Sequence, residues 1–305
     1  MTTMALHQQP IYLEHFGLTS PPFRLTPAID CFFDGGERGE ILAAISYALS
    51  HGDGIIDLTG EVGTGKTTLS RVLMSRASRR FKFIYIANPS IDRQELHVAV
   101  AHELHIADPS PGPGLLRRIQ RRLIGLHAAG RQAVLLIDEA HEMPCETLRE
   151  VRLLSNLETS VNKLLQVVLV GQPELDQVLA QPALRPLRER ITHRFTMPAL
   201  DDRLAHQYLA FRIRRAGGSP SIFSAESVAL MASQTGGLAR RMNILAEKCL
   251  LAAFTEQADQ VCTRHVRSAL EETGFQFARR PDRDSLPQAV RRWVARRLIG
   301  TTGSH

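Results

Sequence analysis

The eight residues Gly60-Glu-Val-Gly-Thr-Gly-Lys-Thr67 constrain this chain more than any other feature. They match the spacing G-x-x-x-x-G-K-[ST]; a β-type run, Gly54 to Thr59, leads into them, and Thr68 to Ser78 reads as helix. A strand that ends in a glycine-rich loop and restarts as a helix turns its backbone N–H groups inward, and the helix adds the positive end of its dipole. The pattern predicts a phosphate cradle formed by Gly60, Glu61, Val62, Gly63, Thr64, Gly65, Lys66, Thr67 and Thr68. Lys66 can reach the β- and γ-phosphates of a nucleotide, and Thr67 offers a hydroxyl to Mg²⁺.

A loop of this kind needs a sheet, and the sequence supplies one. Short apolar runs at Phe81 to Ile86, Ala133 to Ile137, Leu164 to Val170 and, more weakly, Arg194 to Leu200 alternate with helical patterns. Continuous apolar runs of this length suit strands buried on both faces of a parallel sheet. One intervening helix begins near Pro144 and carries Leu148, Val151, Leu154 and Leu157 on one face. After Asp201 the strand signals stop. Leu204 to Ala216, Ala225 to Thr235, Leu238 to Phe254 and Thr263 to Thr273 read as helices, divided by Gly217-Gly218, Gly236-Gly237 and a polar stretch. The expected fold is α/β: a three-layer P-loop NTPase sandwich with a parallel sheet of about five strands, followed by a small all-helical lid. Its expected divisions are an N-terminal segment (1–37), a nucleotide-binding domain (38–200), the lid (201–275) and a tail (276–305). A chain of 305 residues, 44% hydrophobic and 22% charged, accommodates this, and its composition excludes collagen-like, coiled-coil and wholly disordered classes.

The third apolar run ends in Asp138-Glu139-Ala-His141, where the C-terminal edge of a parallel sheet meets its loops. Asp138 suits the Mg²⁺ site, acting through water, and Glu139 can polarise a water for in-line attack on a γ-phosphate. Asp-Glu-Ala-His also marks some helicases. Two nucleotide-fold lobes do not fit in this length, so His141 is expected to support the site rather than couple two lobes.

Over about Tyr12 to Thr273 the sequence resembles the AAA+ ATPases. More narrowly it resembles the secretion-associated group that contains general secretion pathway protein A and the MSHA pilus biogenesis ATPase. The matching text includes Tyr12-Leu-Glu-His-Phe-Gly-Leu18, Pro22-Phe23, Thr26-Pro27, the phosphate loop, Val134-Leu-Leu-Ile-Asp-Glu-Ala140, Leu153-Leu-Ser-Asn-Leu-Glu158, Leu164 to Leu175 and Asn243-Ile-Leu-Ala246. Glu61-Val62 and Gly171-Gln-Pro-Glu-Leu175 are the more specific parts. The resemblance implies roles that spacing does not. Gln172 takes the sensor-1 position between the carboxylates and the γ-phosphate, and Asn88 the position that restrains the catalytic glutamate. Arg190, with Arg188 behind it, takes that of the arginine finger, and Arg240 that of the sensor-2 arginine. A finger acts across a subunit boundary, so the resemblance also implies an oligomer. It implies ATP and Mg²⁺ as ligands and assembly of a secretion or pilus machine as the task. No transmembrane segment and no peptidoglycan-binding region follow the lid, so the shorter, pilus-type member is the expected counterpart.

Charge patterning supplies the rivals. The segment Gln276 to His305 holds seven arginines against two aspartates, or five of the six net positive charges, leaving a near-neutral body. Leu286, Val290, Trp293, Val294 and Leu298 there read as a short basic amphipathic helix suited to weak contact with anionic lipid. Arg117, Arg118, Arg121 and Arg122 form a second basic cluster, and with the tail they keep a DNA-transaction ATPase, like those of transposition, as the alternative. His97, His102 and His105 lack the spacing of a zinc site, and the four cysteines lack any C-x-x-C pair and read as reduced thiols. Without a secretion signal or membrane span, a cytoplasmic location is expected, possible lipid contact through the tail aside.

Overall fold

The computed structural model describes residues 10–25, 29–52, 54–112, 114–158 and 163–273. These form two compact units, one of residues 37–61 and 66–197, the other of residues 10–36, 62–65 and 198–273.

The first unit is built on five strands: β1 (Ile55–Thr59), β2 (Phe81–Ile86), β3 (Gln132–Ile137), β4 (Leu165–Gly171) and β5 (Ile191–Thr196). All pairings are parallel, in the order β2-β3-β4-β1-β5. Around them run α1 (Glu37–His51), α2 (Lys66–Ala77), α3 (Arg93–Glu103), α4 (Leu115–Ala128), α5 (Cys145–Leu154), α6 (Glu174–Ala180) and the single turn α7 (Arg185–Arg188). Ile84, Leu135, Val167 and Leu169 pack with Leu96, Ile119, Leu148 and Leu175 from α3 to α6. Residues of opposite phase, Ile56, Leu58, Val134, Leu136, Val168 and Val170, are equally buried, and α2 packs on β4 on the way. β1 and β4 are buried along their whole length, and apolar residues dominate them with Asp57, Thr59 and Gln166 as buried polar exceptions.

The placement of β4 between β1 and β3 matters most for chemistry. Thr59 pairs with Gly171, and Ile137 with Leu169, so the loops that follow β1, β4 and β3 emerge side by side at one edge. The fifth strand differs from its expected position, Arg194 to Leu200. It begins at Ile191, opposite Ile55, and is an edge strand with alternate residues exposed, so no continuous apolar run marked it.

The second unit contains α8 (Asp202–Arg215), α9 (Ala225–Thr235), α10 (Ala239–Thr255) and α11 (Thr263–Thr273). Asp201 and Ser224 cap α8 and α9 by accepting N–H bonds from Leu204 and Ser227, and Gly236 ends α9 in the left-handed region at φ +63°. Tyr12, Phe16, Leu18 and Phe23 are buried with Leu209, Met231, Leu250 and Val266 in one core. Arg212 fastens this N-terminal stretch. Its buried guanidinium donates to Pro22 O (2.7 Å), Arg24 O (3.4 Å) and the Tyr208 hydroxyl (3.0 Å), which donates in turn to Asn243 Oδ1 (2.7 Å). The Trp293 helix expected in the tail lies outside the described residues, as do Thr26 and Pro27.

Candidate nucleotide site

β1 ends at Thr59 and α2 begins at Lys66, leaving the six residues between as a loop. Gly63 and Gly65 hold φ +82° and +103°, which L side chains resist. Thr64 is buried, and Thr67 and Thr68 are partly buried in the first turn of α2. Lys66 is 5% exposed, and its ammonium donates to Gly60 O at 2.6 Å and Glu61 O at 3.1 Å. Burial lowers its pKa, opposed by Glu139 and then Asp138. Among the described residues no carboxylate lies within ion-pair distance of it. A buried cation held by carbonyls, at a helix N-terminus beside positive-φ glycines, fits the phosphates of a nucleotide.

Asp138 follows β3 and is 4% exposed. Its Oδ1 accepts the Glu139 N–H (3.1 Å) and its Oδ2 the Tyr85 hydroxyl (3.1 Å). Burial and the Asp138 carboxylate push the Tyr85 hydroxyl up to about 12, so it remains a donor at neutral pH. With Thr67, Asp138 supplies the hard oxygen donors that Mg²⁺ takes, and that ion when bound would neutralise phosphate charge.

Glu139 occupies the left-handed region (φ +49°, ψ +38°) before the short turn Ala140–Glu142. His141 Nδ1 lies 3.6 Å from Glu139 Oε2 and accepts the Gln172 N–H at 3.4 Å. Gln172 itself is half-buried directly after β4. A Cβ at Gly171 would crowd the Leu175 side chain, 2.9 Å from its Cδ2, and would make only an ordinary contact of 3.5 Å with His141 N.

Lys66, Asp138, Glu139 and Gln172 thus meet at one sheet edge. Arg190 does not join them. It immediately precedes β5, whose first residue pairs with the first residue of β1, so it stands at the opposite edge, about 17 Å away at about 3.3 Å per residue. Its side chain is exposed with no partner among the described residues, whereas Arg188 donates to Ala180 O at 3.5 Å. Arg240, in the first turn of α10, is exposed, and its N–H donates to Gly63 O at 3.0 Å within the second unit. Asn88 is exposed, and its side chain accepts the Ser90 N–H at 3.2 Å, an Asx turn rather than a contact to Glu139. Sequence reasoning missed Tyr85. It reaches Asp138 only because β2 pairs with β3, Tyr85 opposite Leu136, and no local pattern announces that pairing. The basic cluster of α4 divides: Arg118 donates to Ala107 O and Asp108 O and Arg122 to Leu104 O, while Arg117 and Arg121 are exposed.

Residues 49–179 match a family described as an AAA domain. The chain is 39% identical over 253 residues to general secretion pathway protein A of Aeromonas hydrophila. That match covers 82% of this chain and 46% of the relative, so the chain spans less than half of that protein. The structure of Cdc6p from Pyrobaculum aerophilum is similar with a TM-score of 0.64 and 18% identity, covering 87% of this chain and 72% of that one. The Aeropyrum pernix ORC1 protein in complex with DNA is similar with a TM-score of 0.61 and 19% identity, covering 82% and 68%. At such identities these two speak for the fold. With its phosphate loop, its β2-β3-β4-β1-β5 sheet and its helical unit, the chain belongs to the AAA+ family of P-loop proteins and is related in sequence to general secretion pathway protein A.

Proposed function

We propose that the protein binds ATP with Mg²⁺, hydrolyses it at a boundary between subunits, and uses the cycle to assemble or remodel a secretion or type IV, MSHA-like pilus machine. The observation that carries the reading is the meeting of Lys66, Asp138 and Glu139 at one sheet edge while Arg190 stands unpartnered at the other. Gly60 to Thr68 cradle the triphosphate and Lys66 neutralises its β- and γ-oxygens. Thr67 and, through water, Asp138 would hold Mg²⁺, which would supply positive charge against the phosphate oxygens. Glu139 takes the proton of the water that attacks the γ-phosphorus, the β–γ bridging oxygen leaves with ADP, and Gln172 orients the water or the γ-phosphate. At about 17 Å from its own loop, Arg190 has use as a charge-neutralising group only in a neighbour's site. Arg240 has the sensor-2 role that the resemblance implies. The secretion context rests on the name of the relative, and a cytoplasmic location is part of the proposal. Among the described residues no helix is long and apolar enough to cross a membrane.

The test is ATP turnover as a function of protein concentration. Specific activity should rise with concentration in the wild type. It should fall about a hundredfold or more in Glu139→Gln and on the order of a thousandfold in Arg190→Ala, with ATP binding retained in both. Flat specific activity with an active Arg190→Ala would exclude a site shared between subunits.

The exposed guanidiniums of Arg117 and Arg121 support the second reading, a DNA-transaction ATPase. DNA binding that weakens steeply between about 50 and 200 mM salt, and stimulates turnover, would favour it over the first. Liposome flotation with and without residues 276–305 tests lipid contact through the tail; equal recovery of both forms would eliminate it.

A further inference from the structure

The strands of the first unit start at the edge away from Lys66, and that edge is basic. Phe81 pairs with Gln132 and Ala133 with Leu165, so β2, β3 and β4 begin flush. Carried back into the preceding turns, the same register sets Arg80 beside Arg131 and Arg131 beside Lys163, with their backbones about 4.8 Å apart. Arg76 in the last turn of α2, Arg79 in the turn that follows it and Lys82 in β2 add three more cations. Arg76, Arg79 and Arg80 are exposed and the other three partly buried. Because α2 packs on the sheet through β4, Arg76 stands off the plane of the strands, and the charge spreads in two directions. Among the described residues none of these cations has an ion pair. The described carboxylates in the turns of this edge are Glu158, whose backbone bridges to Lys163, and Glu189, held by Arg185 at 2.8 Å. Asp53 lies outside the described residues. By contrast, Asp92, Asp138, Glu139 and Glu174 follow the other ends of the strands, so a near-neutral body carries its charge as two opposed edges.

We propose that this edge docks the first unit on an anionic lipid bilayer, with the nucleotide edge turned away from the membrane. The contact is separate from the one read for residues 276–305 and does not depend on ATP being hydrolysed. Arg80 already donates to Ser50 O at 3.0 Å, and Arg131 to Phe81 O at 3.3 Å and Ser78 O at 3.5 Å. These guanidiniums offset the negative ends of the helices that finish here and have few N–H groups left to grip a phosphate. Their charge still acts through space, over a screening length of about 10 Å. A bilayer feels the summed field of the whole face and needs no seated headgroup. A duplex is held by directed contacts to phosphates along a narrow track, and these cations neither form one track nor keep their donors free. Among the described residues of these turns no large apolar side chain is exposed, so the attachment rests on charge rather than on insertion. Each cation near an anionic surface is worth about fivefold in partition.

The test is co-sedimentation of the full chain with vesicles of phosphatidylcholine, alone or mixed with phosphatidylserine, at about 50 and 200 mM salt. Wild type should partition onto the mixed vesicles at low salt, release at high salt, and ignore pure phosphatidylcholine. Replacing Arg76, Arg79 and Lys163 together by Gln should lower the partition about tenfold or more. A control that removes the same charge from exposed positions of the helical unit, Arg203→Gln with Arg214→Gln and Arg215→Gln, should stay within about twofold of wild type. Arg79→Gln alone, in an exposed turn, serves if the triple variant fails to fold, with a loss of about three- to fivefold expected. The proposal is overturned if wild type does not bind the mixed vesicles, if it binds pure phosphatidylcholine equally, or if the edge variants partition like wild type. A control that loses as much as the triple variant also overturns it, since net charge and not this face would then govern binding. Retention by duplex DNA in the same buffer, lost in the edge variants while vesicle binding is not, would reassign the edge to nucleic acid.

Discussion

A single buried carboxyl shows how much the interior of the sheet asks of its residues. Asp57, in the middle of β1, an interior strand of the sheet, is 1% exposed, and its Oδ1 has no hydrogen-bond partner among the described residues. Arg194 approaches Oδ2 at 3.9 Å but is shared with Asp176 at 3.1 Å. Burial, with Asp176 adding to it and Arg194 opposing, raises the Asp57 pKa from 3.8 to about 7. A carboxyl whose pKa is raised on folding favours the fold in its neutral form. Its contribution is fully present below pH 3.8 and is lost as pH rises through about 7. The loss approaches about 4 kcal/mol, at about 1.4 kcal/mol per tenfold change in proton affinity. Thermal unfolding from pH 4.5 to 8 should therefore show the wild type losing stability relative to Asp57→Asn; parallel curves would contradict the assignment. Nothing around Asp57 in the sequence signals this, because the apolar run around it reads the same whether or not an arginine from β5 is near.

At the scale of elements, glycine and caps explain more than propensity does. Gly237 holds φ +71°, and a Cβ there would overlap the carbonyl of Leu200, whose N–H in turn donates to Gly237 O at 2.9 Å. Gly237→Ala meets both a backbone penalty and a collision with backbone that cannot swing away. It should destabilise the helical unit by at least about 2 kcal/mol, read as a lowered denaturation midpoint. Tyr12 donates to Glu247 Oε1 at 2.6 Å, and burial raises the Glu247 pKa while Tyr12 lowers it. Tyr12→Phe leaves that carboxylate short of a donor and should cost about 1–3 kcal/mol. A midpoint equal to wild type would mean that water replaces the hydroxyl. The helix breaks at Gly217-Gly218 and Gly236-Gly237 were legible in sequence because glycine has a local reason to be there. The docking of Tyr12 onto α10 was not, since 235 residues separate the partners.

At the scale of the whole molecule, the separation of base and finger has a consequence for mixed assemblies. If Glu139 serves its own site and Arg190 a neighbour's, a Glu139→Gln subunit still offers a finger and an Arg190→Ala subunit still offers a base. Mixing the two inactive variants in equal amounts should restore activity at roughly a quarter of the interfaces by random pairing. No recovery, with both variants shown to assemble, would place both groups in one chain's site.

The phosphate loop, the Asp138-Glu139 pair, four of the strands and the helical lid were determined by the sequence itself, because each depends on residues within a turn or two of one another. Strand order, the edge strand β5, the Tyr85 hydroxyl on Asp138 and the contact of Gln172 with His141 were decided by tertiary structure alone. Each joins segments distant in sequence, and a parallel sheet brings them together through crossovers whose lengths say nothing of which strands become neighbours.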